Sequence, residues 1–339
     1  MEYKCINFEG LDQVGQGDAV KNLSLEISKL GYNTCVISFP YYATPLGFLI
    51  RDILVNGFPE DIKVNKSREI EIKMVLFALN RLEILNCIFS DNRYDIYIFD
   101  KGPFSCALTI GYHISQHRED LNSMEYFVDK GLYFDSYFRD ILNVDNCVIY
   151  LEHMGIEWKG SRQQKGDDLY EKSDVQRISA NVYSILGKKV GKGWSSVVTK
   201  DKEGWRDRCS IKDECIKISK KRGVFGIENP TSGRRSLKYL GIKEVQKFLY
   251  IGSDVSKAIS TDWISAIKKN DKKEVYRVSE IVSGSLVSTT EAIRWYDEEM
   301  VRFIKVLIKE YPEILDIIYN KYGKSFVDKF VDSLNEKEG

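Results

Sequence analysis

The sequence predicts an α/β fold in which a doubly wound parallel sheet is flanked by helices and followed by an all-α extension. Four short apolar runs have the length and composition of buried parallel strands, at residues 3–8, 34–39, 96–99 and 147–151. Helical patterns lie between these runs, and a glycine-rich loop follows the first one. Strands and helices that alternate in this way form a sheet that binds ligands at the carboxyl ends of its strands.

The helices between the strands are predicted from the spacing of apolar residues. Residues 20–30 and 70–89 both carry apolar side chains at helical intervals. A weaker strand near residues 196–199 and a helix over 211–220 complete the pattern. We therefore place the sheet domain at residues 1–222.

The last third of the chain differs from the rest in its proline content and in the spacing of its apolar residues. Residues 228–235 form a turn-like cluster, and beyond them Pro312 is the only proline. Apolar residues recur there at helical spacing, so residues 228–339 are predicted to form four or five helices, packed as a bundle or against the first domain. This extension is interpreted as a structural cap or dimer arm, as a docking surface for a partner, or as a cover for the ligand site.

The amino-acid composition and the distribution of charged, apolar and cysteine residues argue against several classes of protein. Hydrophobic residues make up 43% of the chain, and 50 basic residues balance 50 acidic ones, which argues against a general nucleic-acid binder. No apolar run of about 18 residues appears, so no membrane span is expected. The N-terminus shows no signal-peptide pattern, and the seven cysteines are scattered without a CxxC pair. A cytoplasmic location with reduced thiols is expected.

Residues 8–18, FEGLDQVGQGD, join the first strand to the first helix. Gly10 and Gly15 have the spacing of a P-loop, in which backbone N–H groups surround a phosphate at a helix N-terminus. The position that carries lysine in a P-loop is Gln16, and the Ser/Thr position is Gly17. On these residues alone, a glycine-rich turn without a ligand is the alternative.

A second pattern suggests recognition of a base. Phe77 and Arg81 are four residues apart in a predicted helix and therefore share one face. A flat apolar ring beside a planar donor fork suits a pyrimidine. A core phenylalanine with a surface arginine is the alternative.

Four segments together resemble the thymidylate kinase family: FEGLD at 8–12, FPYYATPLG at 39–47, LFALNR at 76–81 and DKGPFS at 100–105. They occur in the family's order within residues 3 to about 217. The resemblance implies transfer of the ATP γ-phosphoryl group to dTMP or a related deoxynucleoside monophosphate, with Mg²⁺, in a homodimer. For the second segment, a strand that ends at a proline and a turn fits the residues equally well.

The resemblance also implies roles for individual residues. The ATP phosphates are assigned to Gly10, Val14, Gly15, Gln16, Gly17 and Asp18. The acceptor nucleotide is assigned to Asp12, Phe39, Tyr42, Phe77, Arg81, Asp100, Lys101, Ser105, Cys106, Thr109 and Tyr170. The catalytic set is Asp12, Gln16, Lys101, Arg162 and Lys165. Asp100 is expected to hold Mg²⁺ partly through water.

Residues from about 155 to 176 correspond to the mobile lid of that family. Arg162 and Lys165 are the candidate cations for the transferring phosphoryl group, and Tyr170 is the candidate cap on the acceptor. Because position 13 is Gln rather than a basic residue, the chain depends on this lid for its cations. An ordinary solvated, charged loop is the alternative.

Besides Gln13 and Gly17, the chain departs from the family's pattern at four positions. Gln16 replaces the P-loop lysine, and Lys101 replaces an arginine, which keeps the charge but loses the bidentate fork. Thr109 stands where relatives place an aromatic residue near the sugar, and Cys106 stands where some use an amide to read thymine. The last two changes weaken the case for thymidine specificity.

Two functions therefore remain open from the sequence. The first is a nucleoside monophosphate kinase. The second is a catalytically impaired relative that binds nucleotides for sensing or assembly, because a neutral Gln16 removes a charge from the phosphate site. A lysine-to-glutamine substitution engineered to trap substrates would leave the same residue.

His113 and His117 are four residues apart on a predicted helix, a spacing that can bind zinc. No third ligand at a sensible spacing is evident. Surface or packed imidazoles are the favoured interpretation.

Overall fold

The computed structural model describes residues 3–42, 44–62, 64–90, 94–117, 121–153, 172–226, 237–239, 295 and 297–335. Two compact units emerge, and each is discontinuous in sequence. The first comprises residues 1–39 and 92–239, and the second comprises residues 40–91 and 240–339. The sequence predicts two domains that are each continuous along the chain, with a boundary between residues 222 and 228. That boundary stays a prediction.

In the first unit, the described strands form one seven-stranded sheet in the order β6-β5-β4-β1-β3-β2-β7. Neighbouring strands are parallel, except that β6 runs antiparallel to β5. The predicted parallel sheet is therefore confirmed. Its strands are β1 (Cys5–Gly10), β2 (Thr34–Ser38), β3 (Ile96–Asp100), β4 (Val148–His153), β5 (Trp194–Asp201), β6 (Gly204–Trp205) and β7 (Leu237–Tyr239).

The described helices are numbered here in chain order. The first unit contains α1, α4, α5, α6, α7 and α8, and the second contains α2, α3, α9, α10 and α11. Their bounds are α1 (Gln16–Lys29), α2 (Pro45–Asn56), α3 (Lys66–Ser90), α4 (Cys106–His117), α5 (Leu121–Phe134), α6 (Ser136–Leu142), α7 (Ser173–Val190), α8 (Arg208–Lys221), α9 (Glu298–Glu310), α10 (Glu313–Tyr322) and α11 (Lys324–Asn335).

Strand β1 is the central strand that positions the glycine-rich loop. All six of its residues are buried, because β3 and β4 flank it and helices cover the sheet. In the ladder, Phe8 lies opposite Asp100 of β3, and Gly10 lies opposite Leu151 of β4. The carboxyl ends of these parallel strands therefore meet at one edge, where ligands bind in sheets of this kind.

The two histidines of α4 are packed imidazoles, in agreement with the favoured interpretation. His113 is buried, and its ring lies 4.6 Å from His117 and 5.2 Å from Phe127. Within the described part of the chain, no group of side chains is arranged to hold a metal ion on its own.

The second unit is helical. Thr44 caps α2 by accepting a hydrogen bond from the Gly47 N–H, and Pro45 occupies the first helical position, where it needs no donor. Helices α9 and α10 pack against α3, and α10 packs against α11. The predicted C-terminal helices are thus present over residues 298–335. None of the helices within the described ranges is long and apolar enough to cross a membrane.

Candidate functional site

The loop that follows β1 has the backbone geometry of an anion site. It opens α1, where Gly15 is the N-cap in the left-handed region with φ 84°, and Gln13 also has a positive φ of 60°. Gly10 is required by space, because a Cβ there would lie 3.0 Å from both the Leu151 carbonyl oxygen and Val14 Cγ2. Successive N–H groups at such a turn and at the helix N-terminus attract phosphate.

Gln16, the first residue of α1, is turned into the sheet edge. Its side-chain Nε2 donates to Asp100 Oδ1 at 2.9 Å and to the Phe8 carbonyl oxygen at 3.1 Å. The residue is only 7% exposed, and its Oε1 accepts no hydrogen bond from any residue that the structure describes. The Gln16 amide therefore stands at the position of the P-loop lysine. Its Nε2 donor is already hydrogen-bonded to Phe8 of β1 and to Asp100 of β3.

Asp100 ends β3 in a largely enclosed position. Burial raises the pKa of its carboxyl group, although Lys101, Gln16 and Ser38 each favour the ionised form. Ser38 Oγ donates to Asp100 Oδ2 at 3.3 Å. The carboxylate thus faces the loop with one oxygen bound by Gln16 and the other by a weak hydroxyl contact.

Lys101 directly follows Asp100 in the sequence and carries a positive charge. Its Nζ donates to Asp12 Oδ1 at 2.6 Å. Burial disfavours the charged amine, but Asp12, Glu9 and Asp100 together outweigh that effect and raise the pKa of Lys101. The backbone of Lys101 has a φ of 65°, a conformation that is uncommon for residues other than glycine and that often marks functional sites.

Asp12 is held from a second direction by α7. Gln176 Oε1 accepts from the Asp12 backbone N–H at 2.9 Å, and Gln176 Nε2 donates to Asp12 Oδ2 at 3.0 Å. The predicted residues Asp12, Gln16, Asp100 and Lys101 therefore lie together at one edge of the sheet. Gln176, at the end of the predicted lid segment, binds the same cluster.

Glu9 is a central residue of this cluster that the sequence analysis did not single out. It is fully buried, and its Oε2 accepts from Ser105 Oγ at 2.6 Å and from the Tyr183 hydroxyl at 3.3 Å. Its Oε1 accepts from Asn7 Nδ2 at 2.9 Å and from the Phe104 N–H at 3.2 Å. The sequence did contain a sign of this role, because Glu9 is an acidic residue within an apolar strand. Such a residue is rarely buried unless its carboxylate is paired or hydrogen-bonded.

Three residues assigned to the acceptor lie inside the first unit's core. Phe39 packs against Phe99 and Phe138, with ring centroids 5.9 and 5.8 Å away. Cys106 and Thr109 on α4 are 7% and 4% exposed. Their roles toward a ligand stay predictions.

Phe77 and Arg81 lie on α3 in the second unit. Arg81 is 3% exposed, whereas Phe77 is only partly buried. The alternative of a core phenylalanine with a surface arginine is therefore wrong, because the burial is the reverse. A buried guanidinium is costly unless its donors are used, and the role of Arg81 toward a ligand stays a prediction.

Tyr42 precedes α2 in a loop that α3 holds closely. Asn80 accepts from the Tyr41 N–H at 2.8 Å and donates to the Tyr41 carbonyl oxygen at 3.1 Å. Glu83 accepts from Thr44 Oγ1 at 2.5 Å and from the Leu46 N–H at 3.1 Å. Burial raises the pKa of Glu83 to about 7. These contacts hold Tyr41, Thr44 and Leu46 against α3, and the role of Tyr42 toward a ligand stays a prediction.

A cavity of about 440 Å³ lies beside the glycine-rich loop, lined in part by Val14, Gly15, Asn22, Trp205, Arg206 and Arg208. Trp205 is 45% exposed. Arg206 is fixed by Glu214, at 3.0 Å, and by the Val198 carbonyl oxygen, at 2.7 Å. This wall was not among the predicted site residues. Its signal was a tryptophan directly followed by Arg206, with Arg208 two residues further along the chain.

Three predicted residues cannot be placed. Arg162, Lys165 and Tyr170 lie outside the described residues, as does most of the predicted lid. Asp18 is described, and its carboxylate lies 3.1 Å from Arg208 in an exposed ion pair at the cavity.

The sequence of the chain is similar to that of a known protein. It is 26% identical to the thymidylate kinase of Dictyostelium discoideum over 181 residues, which is 52% of this chain and 70% of that protein. This chain is thymidylate kinase-like. The predicted family resemblance is confirmed, and it supports a function of the nucleoside monophosphate kinase class.

Solved structures similar to the thymidylate kinase-like chain include two thymidylate kinases. The enzyme from Candida albicans is 17% identical, with a TM-score of 0.44, over 66% of this chain and 93% of that one. The enzyme from Ehrlichia chaffeensis is 15% identical, with a TM-score of 0.42, over 64% of this chain and 99% of that one. No protein-family model matches the chain.

Proposed function

We propose that this chain binds ATP and a deoxynucleoside monophosphate, dTMP or a close relative, and transfers the γ-phosphoryl group between them. The observation that carries the proposal is the glycine-rich loop at the start of α1, beside the cluster of Asp12, Gln16, Asp100 and Lys101. A helix N-terminus supplies N–H groups for phosphate, and the cluster supplies one cation and two carboxylates at the same sheet edge.

The donor nucleotide is proposed to occupy the loop and the adjoining cavity. Its phosphates take the N–H groups around residues 13–17, and its nucleoside takes the space bounded by Trp205 and Arg208. An exposed indole offers a face on which a base can stack. The cavity volume falls within the range of small-molecule sites, about 300–1,000 Å³.

The residues present fit the Mg²⁺ that such a reaction uses. Magnesium binds through one or two carboxylates together with substrate phosphates and waters, so a cage of protein ligands is not required. Asp100 supplies the carboxylate, and the buried, unpartnered Gln16 Oε1 supplies an acceptor for a metal-bound water. When bound, the ion neutralises charge on the phosphate oxygens.

The acceptor base is proposed to bind the second unit. Phe77 provides the ring face, and the Arg81 guanidinium provides a planar pair of donors. Tyr42 contributes from the loop before α2. These assignments rest on the family resemblance together with the burial of Arg81.

The reaction itself requires positioning more than acid–base chemistry. An oxygen of the acceptor phosphate forms a bond to the γ-phosphorus, and the bond from that phosphorus to the bridging oxygen of the leaving ADP breaks. Lys101 stabilises the negative charge that is shared between the two nucleotides, once phosphate oxygens replace Asp12 as its partner. Arg162 and Lys165 are the proposed further cations.

A coupled assay of ADP release from ATP and each deoxynucleoside monophosphate tests the proposal. We expect turnover that depends on one of the monophosphates, and a rate near 1 s⁻¹ or above, the lower end of the ordinary kinase range, would exclude an impaired relative. Background ATP hydrolysis without acceptor is the control. Tight binding of both nucleotides with no turnover would contradict transfer while leaving binding intact.

One observation favours the second candidate function, a nucleotide-binding relative with impaired catalysis. The Gln16 amide is neutral, and its donor is already engaged by Asp100 and Phe8. Among the described residues of the loop itself, no cation faces the phosphate position. Such a protein would use nucleotide binding for sensing or assembly. A homodimer and a cytoplasmic location remain predictions from the resemblance, and sedimentation velocity tests the first.

The donor cavity can be tested separately. Replacing Trp205 by alanine should weaken ATP binding by about 1–3 kcal/mol, the scale of base–aromatic stacking, because the indole face is lost. Calorimetric titration with ATP measures the effect. The affinity for dTMP in the same variant is the internal control. ATP affinity equal to that of the wild type would remove Trp205 from the donor site.

A further inference from the structure

The C-terminal helices make specific contacts with the helices that carry the proposed acceptor residues, all within the second unit. Tyr322, the last residue of α10, is 2% exposed, and its hydroxyl donates to the Pro45 carbonyl oxygen at 2.7 Å. Pro45 is the first residue of α2. A buried side chain from the far end of the chain therefore bonds the backbone where the acceptor loop enters its helix.

That loop is held from its other side by α3. Asn80 binds both backbone groups of Tyr41, and Glu83 binds the hydroxyl of Thr44, so α3 holds the backbone of Tyr41 and the side chain of Thr44. Asn80 is three residues from Phe77 and one from Arg81 on the same helix. Tyr322 thus holds the first residue of α2, next to the residues that Asn80 and Glu83 hold from α3.

Ion pairs also connect the C-terminal helices with α2 and α3. Lys321 Nζ lies 2.8 Å from Asp52 Oδ2 on α2, beside the Tyr322 contact. On α3, Arg68 Nε donates to Glu313 Oε1 at 2.9 Å, and its guanidinium lies 4.1 Å from the centre of the Tyr311 ring. The C-terminal helices are therefore tied to both α2 and α3 by charged and polar contacts as well as by apolar packing.

From these contacts we infer that the C-terminal helices form part of the acceptor-binding unit, with Tyr322 as a positioning residue for Tyr41, Tyr42, Thr44 and Pro45 at the entry to α2. This inference rests on the proposed function, because it assigns the extension to that same acceptor site. It gives the extension a role in holding the monophosphate nucleotide. A hydroxyl that fixes one backbone carbonyl affects affinity for the ligand that touches that loop, and leaves the other nucleotide unaffected.

The test compares Tyr322→Phe with Tyr319→Phe in the full chain. Tyr319 lies on the same helix but is 54% exposed, so it is a matched control for the loss of a hydroxyl. Calorimetric titrations are performed with dTMP and, separately, with ATP. We expect Tyr322→Phe to weaken dTMP binding by about 5- to 10-fold, the usual effect of one buried hydrogen bond, with ATP affinity within about twofold. Tyr319→Phe should change neither.

Two results would overturn the inference. Equal dTMP affinity in both variants, even with a lower melting temperature for Tyr322→Phe, would make the hydroxyl purely structural. Equal weakening of dTMP and ATP would point to a general loss of the fold. If Tyr322→Phe does not fold, Lys321→Ala replaces it, with an expected weakening of about three- to fivefold for dTMP and a change within about twofold for ATP; a dTMP affinity within about twofold of the wild type then refutes the inference.

The wild-type titration separates this inference from the proposed function. A wild-type chain that binds no deoxynucleoside monophosphate overturns both. A wild-type chain that binds dTMP normally, together with an unaffected Tyr322→Phe variant, overturns only the role of Tyr322.

Discussion

Replacing Gln16 by lysine should raise the turnover of phosphoryl transfer by roughly 10²–10³-fold, the scale of one preorganised donor at a developing charge. Position 16 begins α1 at the glycine-rich loop, and its side chain already reaches the carboxylate at the end of β3. A lysine there has a similar reach and adds the missing positive charge. When phosphates enter, that charge is drawn to them, whereas the glutamine amide offers only a neutral donor.

The measurement is the same coupled assay, with Gln16→Met as the matched control. Methionine has a similar length but neither charge nor amide, so it should fall at or below the wild-type rate. If the lysine variant turns over no faster than the methionine variant, the missing charge does not limit catalysis. The pocket would then have been adapted to another use, as the impaired-relative hypothesis states.

Replacing Lys101 by methionine should lower turnover by roughly 10²–10³-fold, because the only described cation in contact with Asp12 at this edge is lost. The loss of turnover should exceed the loss of ATP affinity, because the charge of Lys101 is proposed to act mainly on the transition state. Kinetics with saturating ATP and dTMP measure it, in the Gln16→Lys background if the wild-type rate is too low.

Lys101→Arg is the matched control for this second prediction. It keeps the charge and supplies the fork that relatives carry at this position, so its turnover should stay within about tenfold of the parent. Both variants keep a residue other than glycine at the positive φ of 65°, so backbone strain is the same. Full activity in Lys101→Met would make Lys101 no more than an ion-pair partner of Asp12.

The strands and the glycine-rich loop were predictable because their signals are local. β1 is buried along its whole length, so its sequence is a short apolar run, and the turn that follows needs glycine for space and for conformation. Gln16 and Asp100 were assigned to one site by the family resemblance, and strands that end at one sheet edge bring such residues together.

Contacts that depend on distant partners were not predictable in the same way. The buried Glu9 bonds Ser105 and Tyr183, which are 96 and 174 residues away in sequence. Trp205 was missed because an exposed aromatic residue in a two-residue strand has no periodic signal. The grouping of residues 40–91 with the C-terminal helices depends on pairs such as Arg68 with Glu313, which are 245 residues apart.

The discontinuity of the second unit also constrains how a cell can make this protein. Helix α3 leaves the ribosome about two hundred residues before α9 and α10, against which it packs. At common elongation rates this separation corresponds to roughly 10–40 s of synthesis. During that interval the nascent chain carries a 25-residue helix without its final partners. Chaperone demand should therefore be greatest while residues 92–297 are being translated.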